Sequence, residues 1–175
     1  MEDQQKPTTK IALNYGLILG FISILFHVAL FAMGKHLEQN TAVMLISIAI
    51  TALILVLGIK KYKEANEGFL TLGQGLKTGI AIAMISSIIY IIYTLVFMNF
   101  IAPESMEQGL EIARQKLLEN PNMSEDQIEQ ALEMQKKFSG PAFLIPVMLI
   151  FSLFIGFVVS LIASLIMKKS EEDQY

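Results

Sequence analysis

The sequence predicts an all-α membrane protein, with four transmembrane helices and an extracytoplasmic αα-hairpin between helices 3 and 4. Three observations predict it. Apolar residues make up 54% of the 175-residue chain and charged residues 17%, against about 25% charge in soluble domains. The apolar residues gather into four runs long enough to cross a bilayer, whereas a soluble helix interrupts its apolar stripe with a polar face every few residues. One acidic, amphipathic stretch, 103–139, separates the last two runs. The whole chain, 1–175, reads as a single membrane domain.

The first run, Ile11 to Met33, holds only Asn14, Ser23 and His27 as clearly polar positions and spans about 34 Å as a helix. It exceeds the apolar core of a signal peptide, about 7–15 residues, and lacks a small-x-small cleavage site, so it is expected to remain as the first helix. A polar turn, Gly34 to Asn40, leads to the second run, Thr41 to Ile59. Its β-branched content is tolerated because lipid offers the backbone no partner outside the helix. A Lys-dense break, Lys60 to Glu67, follows. Gly68 to Lys77 is amphipathic and Gly-rich, with Phe69, Leu70, Leu72 and Leu76 placed as the apolar face of an interfacial turn. The third crossing is then expected from Gly75 or Thr78 to Ile101. The fourth, Ala142 to Met167, has Pro146 in its first turns and Lys168 and Lys169 as its closing flank.

Between Pro103 and Ser139 the acidic residues Glu104, Glu107, Glu111, Glu119, Glu125, Asp126, Glu129 and Glu133 outnumber Arg114, Lys116, Lys136 and Lys137. Pro103 suits a helix N1 position, and Met106, Leu110, Ala113 and Leu117 recur at helical spacing. Asn120 and Pro121 stop that helix, and Ser124 with Gln127 forms a capping box that starts another. The tail, Ser170 to Tyr175, is short and polar and is expected to be disordered.

Basic residues resist translocation, so their placement sets orientation. With the N-terminus inside, Lys6, Lys10, Lys60, Lys61, Lys63, Lys77, Lys168 and Lys169 lie on the inner face, outnumbering Lys35, Arg114, Lys116, Lys136 and Lys137 outside. Both termini are therefore expected in the cytoplasm and the hairpin beyond the membrane.

Small residues at spacing four form helix-packing seams on every crossing: Ala12, Gly16 and Gly20; Ser47 and Thr51; Gly75, Gly79, Ala83 and Ser87; Ser152, Gly156, Ser160 and Ser164. Missing bulk lets two backbones approach where lipid supplies no hydrophobic force between helices. The first and third seams are expected to meet at one depth; homodimerisation through one of them is the alternative.

His27, Gln74, Lys77 and Asn99 are the intramembrane or interfacial polar candidates. An ionisable group inside a membrane is by default a functional hypothesis. Tyr90 or Tyr93 reaches the depth of His27, giving either a plain hydrogen bond or one step of a proton relay. Lys77, beside Gln74, either snorkels to fix helix depth or binds an anionic group. Lys60, Lys61 and Lys63 read as topology signals that attract anionic lipid, not nucleic acid. Glu107 with Glu111, and Glu129 with Glu133, sit one turn apart, the spacing of a loose cation site, but read first as a solvated face. There is no Cys, which excludes disulfides, thiolate metal sites and Cys nucleophiles. No phosphate loop, zinc-binding His pair or nucleophile with a nearby base occurs, so no catalytic, cofactor-binding or metal residue is expected.

The segment NEGFLTLGQGLKTG, the apolar run ending IYTLVFMNFIAPE and the acidic MSEDQIEQALEMQKKF, in that order, resemble the bacterial integral membrane family called domain of unknown function 4199. The resemblance covers nearly the whole chain and is strongest around Gly68, Phe69, Gln74 and Lys77. It implies a compact helical membrane protein of bacteria with a variable acidic insertion between the last two crossings, and it transfers no activity.

The expected role is that of a non-enzymatic accessory or interaction protein of the bacterial cytoplasmic membrane. Its partners are the bilayer and either itself or another membrane protein, met through the acidic hairpin. The rival is an oligomeric small-solute transporter or channel subunit with Asn14, His27, Gln74 and Asn99 lining a path. A converging polar cavity distinguishes the rival from a dry bundle.

Overall fold

The computed structural model describes residues 5–38 and 40–169. The expected disorder of Ser170 to Tyr175 lies outside them. The elements are α1 (Gln5–Ala32), α2 (Thr41–Ala65), α3 (Leu72–Val96) running on into a π-helical turn (Phe97–Ile101), α4 (Ser105–Leu118), α5 (Glu125–Phe138) and α6 (Pro141–Met167). Four of these, Thr8–Ala32, Thr41–Ala65, Leu72–Ile101 and Pro141–Met167, are long and apolar enough to cross a membrane. The chain is an all-helical membrane protein. Large apolar side chains such as Leu25, Phe100, Ile150, Phe154 and Ile166 project outward, as lipid-facing residues do.

Helix α3 is the centre of the bundle and packs on α1, α2 and α6. Small residues decide each contact. On α1, a Cβ added at Gly16 would stand 2.7 Å from Ile85 Cβ, and one at Gly20 3.1 Å from Ile89 Cβ. On α2, Gly58 accommodates Ile82 and Tyr15. Between the antiparallel α3 and α6 the contacts are small against small: Gly75 faces Ser164, Gly79 faces Ser160 and Gly156 faces Ala83. Ser152 Oγ extends this seam, donating a long hydrogen bond of 3.5 Å to the Ala83 carbonyl. The seams of α1 and α3 therefore do not meet each other. Ile82, Ile85 and Ile89 fill the α1 seam, and α6 takes the glycine face of α3. Ala12, Leu19, Ile54, Leu55, Ile82 and Ala83 form the main buried cluster.

Several expected boundaries shift. Helix α2 continues through Lys60–Ala65, because Lys, Glu and Ala propagate a helix beyond the apolar stretch. Lys63 Nζ donates to the Met167 carbonyl at the end of α6, 2.8 Å away. The chain then reverses through Glu67 and Gly68, both at positive φ (55° and 85°), the left-handed turn that glycine permits. Leu70 is fully buried and pairs its backbone with Lys169 at 3.0 and 3.1 Å, so it is not part of an interfacial face. The third apolar helix begins at Leu72, ahead of the Gly75 or Thr78 expected for the crossing: Thr71 and Gln74 form a reciprocal capping box there. Pro103 lies outside α4, which begins at Ser105 with Glu104 in the N-cap position making no side-chain capping bond. Ser124 and Gln127 form the capping box of α5. Helices α4 and α5 contact each other, burying Ile128.

Candidate functional site

The two ends of the bundle differ in charge. Lys10, Lys60, Lys61, Lys63, Lys77, Lys168 and Lys169 lie at one end, here the basic end; the α1–α2 turn with α4 and α5 forms the other, the acidic end. The bundle is closed at the basic end and hollow toward the acidic one.

Histidine 27, on α1, shares a hydrogen bond of 2.8 Å between Nδ1 and the hydroxyl of Tyr93 on α3. Rings surround it edge-on: Phe97 at 4.8 Å, Tyr93 at 5.5 Å, His36 at 6.2 Å and Tyr90 at 6.3 Å between centroids. Phe31 closes the cluster against Phe97 and His36. The π-helical turn begins at Phe97, and the extra residue per turn leaves Phe97 buried while Asn99, Phe100 and Ile101 face outward. Such turns occur frequently at functional sites. His36, in the α1–α2 turn, has Nε2 3.4 Å from Ser105 Oγ, and its Nδ1 is buried without a hydrogen-bond partner among the described residues.

Deeper in the bundle is a cavity of about 330 Å³ bounded by Ser23, His27, Ser47, Thr51, Ser86, Ser87, Tyr90 and Ser152, with Leu19, Ile50 and Met148 among its apolar walls. Four crossing helices contribute. A second cavity, about 280 Å³, adjoins it through His27, His36, Tyr90 and Met148, and adds Tyr93, Thr94, Phe97 and Ser105. Beyond His36 and Leu37 an open groove of about 1270 Å³ lies between the α1–α2 turn and the α4–α5 pair. Glu38, Glu104, Glu107, Glu111, Glu125, Glu129 and Glu133 line it, with Arg114 and Lys136. Among the described residues none of these carboxylates forms an ion pair. His36 borders all three spaces, so they form one series from the acidic end to mid-bundle.

Of the polar candidates singled out in the sequence, only His27 lines this series. Gln74 caps α3, its side-chain oxygen accepting from Thr71 N at 2.9 Å. Lys77 is exposed at the basic end. Asn99 is exposed and donates its amide to the Leu95 carbonyl of its own helix, 2.7 Å away; Asn14 is exposed as well. Within the single chain Asn14, Gln74 and Asn99 therefore do not line these cavities. Sequence reasoning missed His36, in the α1–α2 turn, and Ser105, the first residue of α4, which meet across 69 residues. It read Ser47, Thr51, Ser87 and Ser152 only as packing residues. The carboxylate pairs Glu107–Glu111 and Glu129–Glu133 are exposed in the groove wall, and no three His, Asp or Glu side chains among the described residues converge as metal ligands do.

A family model described as "Protein of unknown function (DUF4199)" matches residues 14–169, well over half of the chain. No curated protein and no solved structure matches it.

Proposed function

The chain belongs to this family of proteins of unknown function, and on that premise we propose that it is a non-enzymatic subunit that binds and passes a small solute. It would act in the cytoplasmic membrane of a bacterium. The observation that carries the reading is the series of cavities, polar groups set among mainly apolar walls, which enters the bundle at the acidic end and stops halfway. Its floor is the dry cluster of Leu55, Ile82 and Ala83 with the α3–α6 seam beneath. A cavity of a few hundred Å³ with few polar groups is the usual form of a small-molecule site. One that reaches the middle of a membrane domain from one side only has the form of one state of a transporter.

Orientation is part of the proposal. Lysines at the basic end favour a cytoplasmic location for it and for both termini. The acidic end and the cavity mouth then face outward. Assembly with itself or another membrane protein completes the path through the other half.

The test uses the absence of Cys, which makes every introduced thiol unique. Thr51→Cys is expected to react with a membrane-impermeant thiol reagent added to intact cells, as Glu129→Cys does, while Ser164→Cys, buried in the seam, does not. Protection of Thr51→Cys in cells where Glu129→Cys reacts would remove the solute reading. The accessory role through α4 and α5 would then be favoured, since Leu118 and Met134 remain exposed on that pair; crosslinking in native membranes would identify the partner.

A further inference from the structure

We propose that the solute is a small organic cation, an amine or amidine with N–H donors on an apolar body. This deepens the solute-binding reading and rests on it. The argument begins with where the hydroxyl protons go. Ser47 Oγ donates to the Val43 carbonyl at 2.9 Å, Thr51 Oγ1 to Ser47 at 2.9 Å, Ser86 Oγ to Ala83 at 3.0 Å and Ser87 Oγ to Met84 at 2.8 Å. Each hydroxyl has committed its one proton to its own helix. What it still offers is an oxygen lone pair. Ser152 Oγ likewise donates to the Ala83 carbonyl, whereas the Ser23 and Tyr90 hydroxyls keep their protons. The chamber therefore offers more acceptors than donors, which favours a solute rich in N–H groups.

Among the described residues the two inner cavities contain no Lys, Arg, Asp or Glu, so an ion of either sign finds no fixed countercharge there. The preference comes from the hydroxyl oxygens, the aromatic rings and the groove outside. A cation meets the rings of Tyr90, Tyr93 and Phe97, which line these cavities beside His27, and aromatic faces attract cations within about 6 Å. The groove outside is lined by carboxylates, none of them ion-paired among the described residues, that outnumber Arg114 and Lys136, and a cleft dominated by one sign concentrates counter-ions at its mouth. A bare metal ion fits less well. Its oxygen ligands must close to about 2.3–2.6 Å, whereas these hydroxyls are spread around about 330 Å³. An organic cation fills that space and uses the acceptors with its N–H groups.

The experiment is thiol labelling in lipid nanodiscs, where both membrane faces are open. Thr51→Cys, with Ser47→Cys as a second reporter, is treated with 2-aminoethyl methanethiosulfonate, a cation, or its 2-sulfonatoethyl counterpart, an anion. Each rate is divided by that reagent's rate with a free small thiol, so the ionisation of the cysteine cancels in the ratio. The cation is expected to react about tenfold faster or more. Phenethylammonium is expected to slow the labelling, and phenylacetate of matching shape to leave it unchanged. Equal rates, a faster anion, or equal protection by phenylacetate would overturn the cationic solute while leaving a solute cavity in place. If neither cysteine reacts with either reagent while Glu129→Cys reacts with both, the cavity is closed and the solute reading itself falls.

Discussion

The basic and acidic halves of the bundle are built from the same four helices and a similar supply of small residues, yet one is solid and the other hollow. In the basic half the small residues of the seams have partners that use the space. Gly75 and Gly79 receive Ser164 and Ser160, and Gly16 receives Ile85. Backbones approach until dispersion contacts are complete, the one force between helices that lipid does not compete with. In the acidic half, Ser23, Ser47, Thr51, Ser87 and Ser152 line a space whose other walls are larger side chains such as Leu19, Ile50, Tyr90 and Met148. Small residues close a bundle only where a partner fits them; here none fills the space. Polarity alone does not separate the halves, because Ser160 and Ser164 are fully buried in the solid one.

The largest expected effect is at the solid half. Gly79→Leu sets a branched side chain where Ser160 Cβ lies 2.6 Å from an added Cβ. Overpacking typically costs about 1–3 kcal/mol, occasionally more, and here the nearest neighbour includes a Cβ, which moves only with its helix, so a loss at the upper end, about 3 kcal/mol, is expected in thermal unfolding. An unchanged melting temperature would mean that α3 and α6 are not locked. A smaller effect is expected outside the bundle. Ser124→Ala removes the N-cap of α5 and should cost about 1 kcal/mol, seen as faster amide exchange in α5 with the four crossings unaltered. Spread of that exchange into α3 would show that the α4–α5 pair and the bundle open together.

Smaller still is His27→Leu, which breaks the bond to Tyr93. Interhelical hydrogen bonds in membranes average about 0.6 kcal/mol, so stability should barely move while phenethylammonium protection of Thr51→Cys weakens. A large stability loss would reassign His27 to structure. Least disruptive is Ser47→Leu, which adds bulk to a void: a stability change within about 0.5 kcal/mol is expected, the range of substitutions that strain nothing. Labelling of Thr51→Cys should nevertheless fall by about tenfold, as a filled chamber excludes the reagent. Unhindered labelling would contradict the hollow half.

Legibility in the sequence followed the range of the interaction. The Ser124–Gln127 capping box was readable because its partners are three residues apart. Thr71–Gln74 has the same pattern, and it went unread because the Gly-rich stretch around it resembled an interfacial turn. Tyr93 was within reach of His27 on depth alone, since both lie on helices of known direction. His36 offered no signal: in the polar turn GKHLEQN nothing distinguishes it from its neighbours until Phe97 and Ser105 are folded against it. The α3–α6 seam was half visible. Spacing four marked the small residues on each helix, but it marked them on all four, and spacing does not choose a partner.

By itself, then, the sequence determined four apolar helices, their order and the acidic pair between the last two, because a bilayer leaves an apolar run of this length no other way to satisfy its backbone. It also determined the charge difference between the two ends. Only the tertiary structure decided which small residues would close on one another and which would face an empty space. That choice depends on which helices become neighbours and at what depth, and so on the simultaneous fit of side chains far apart in the chain.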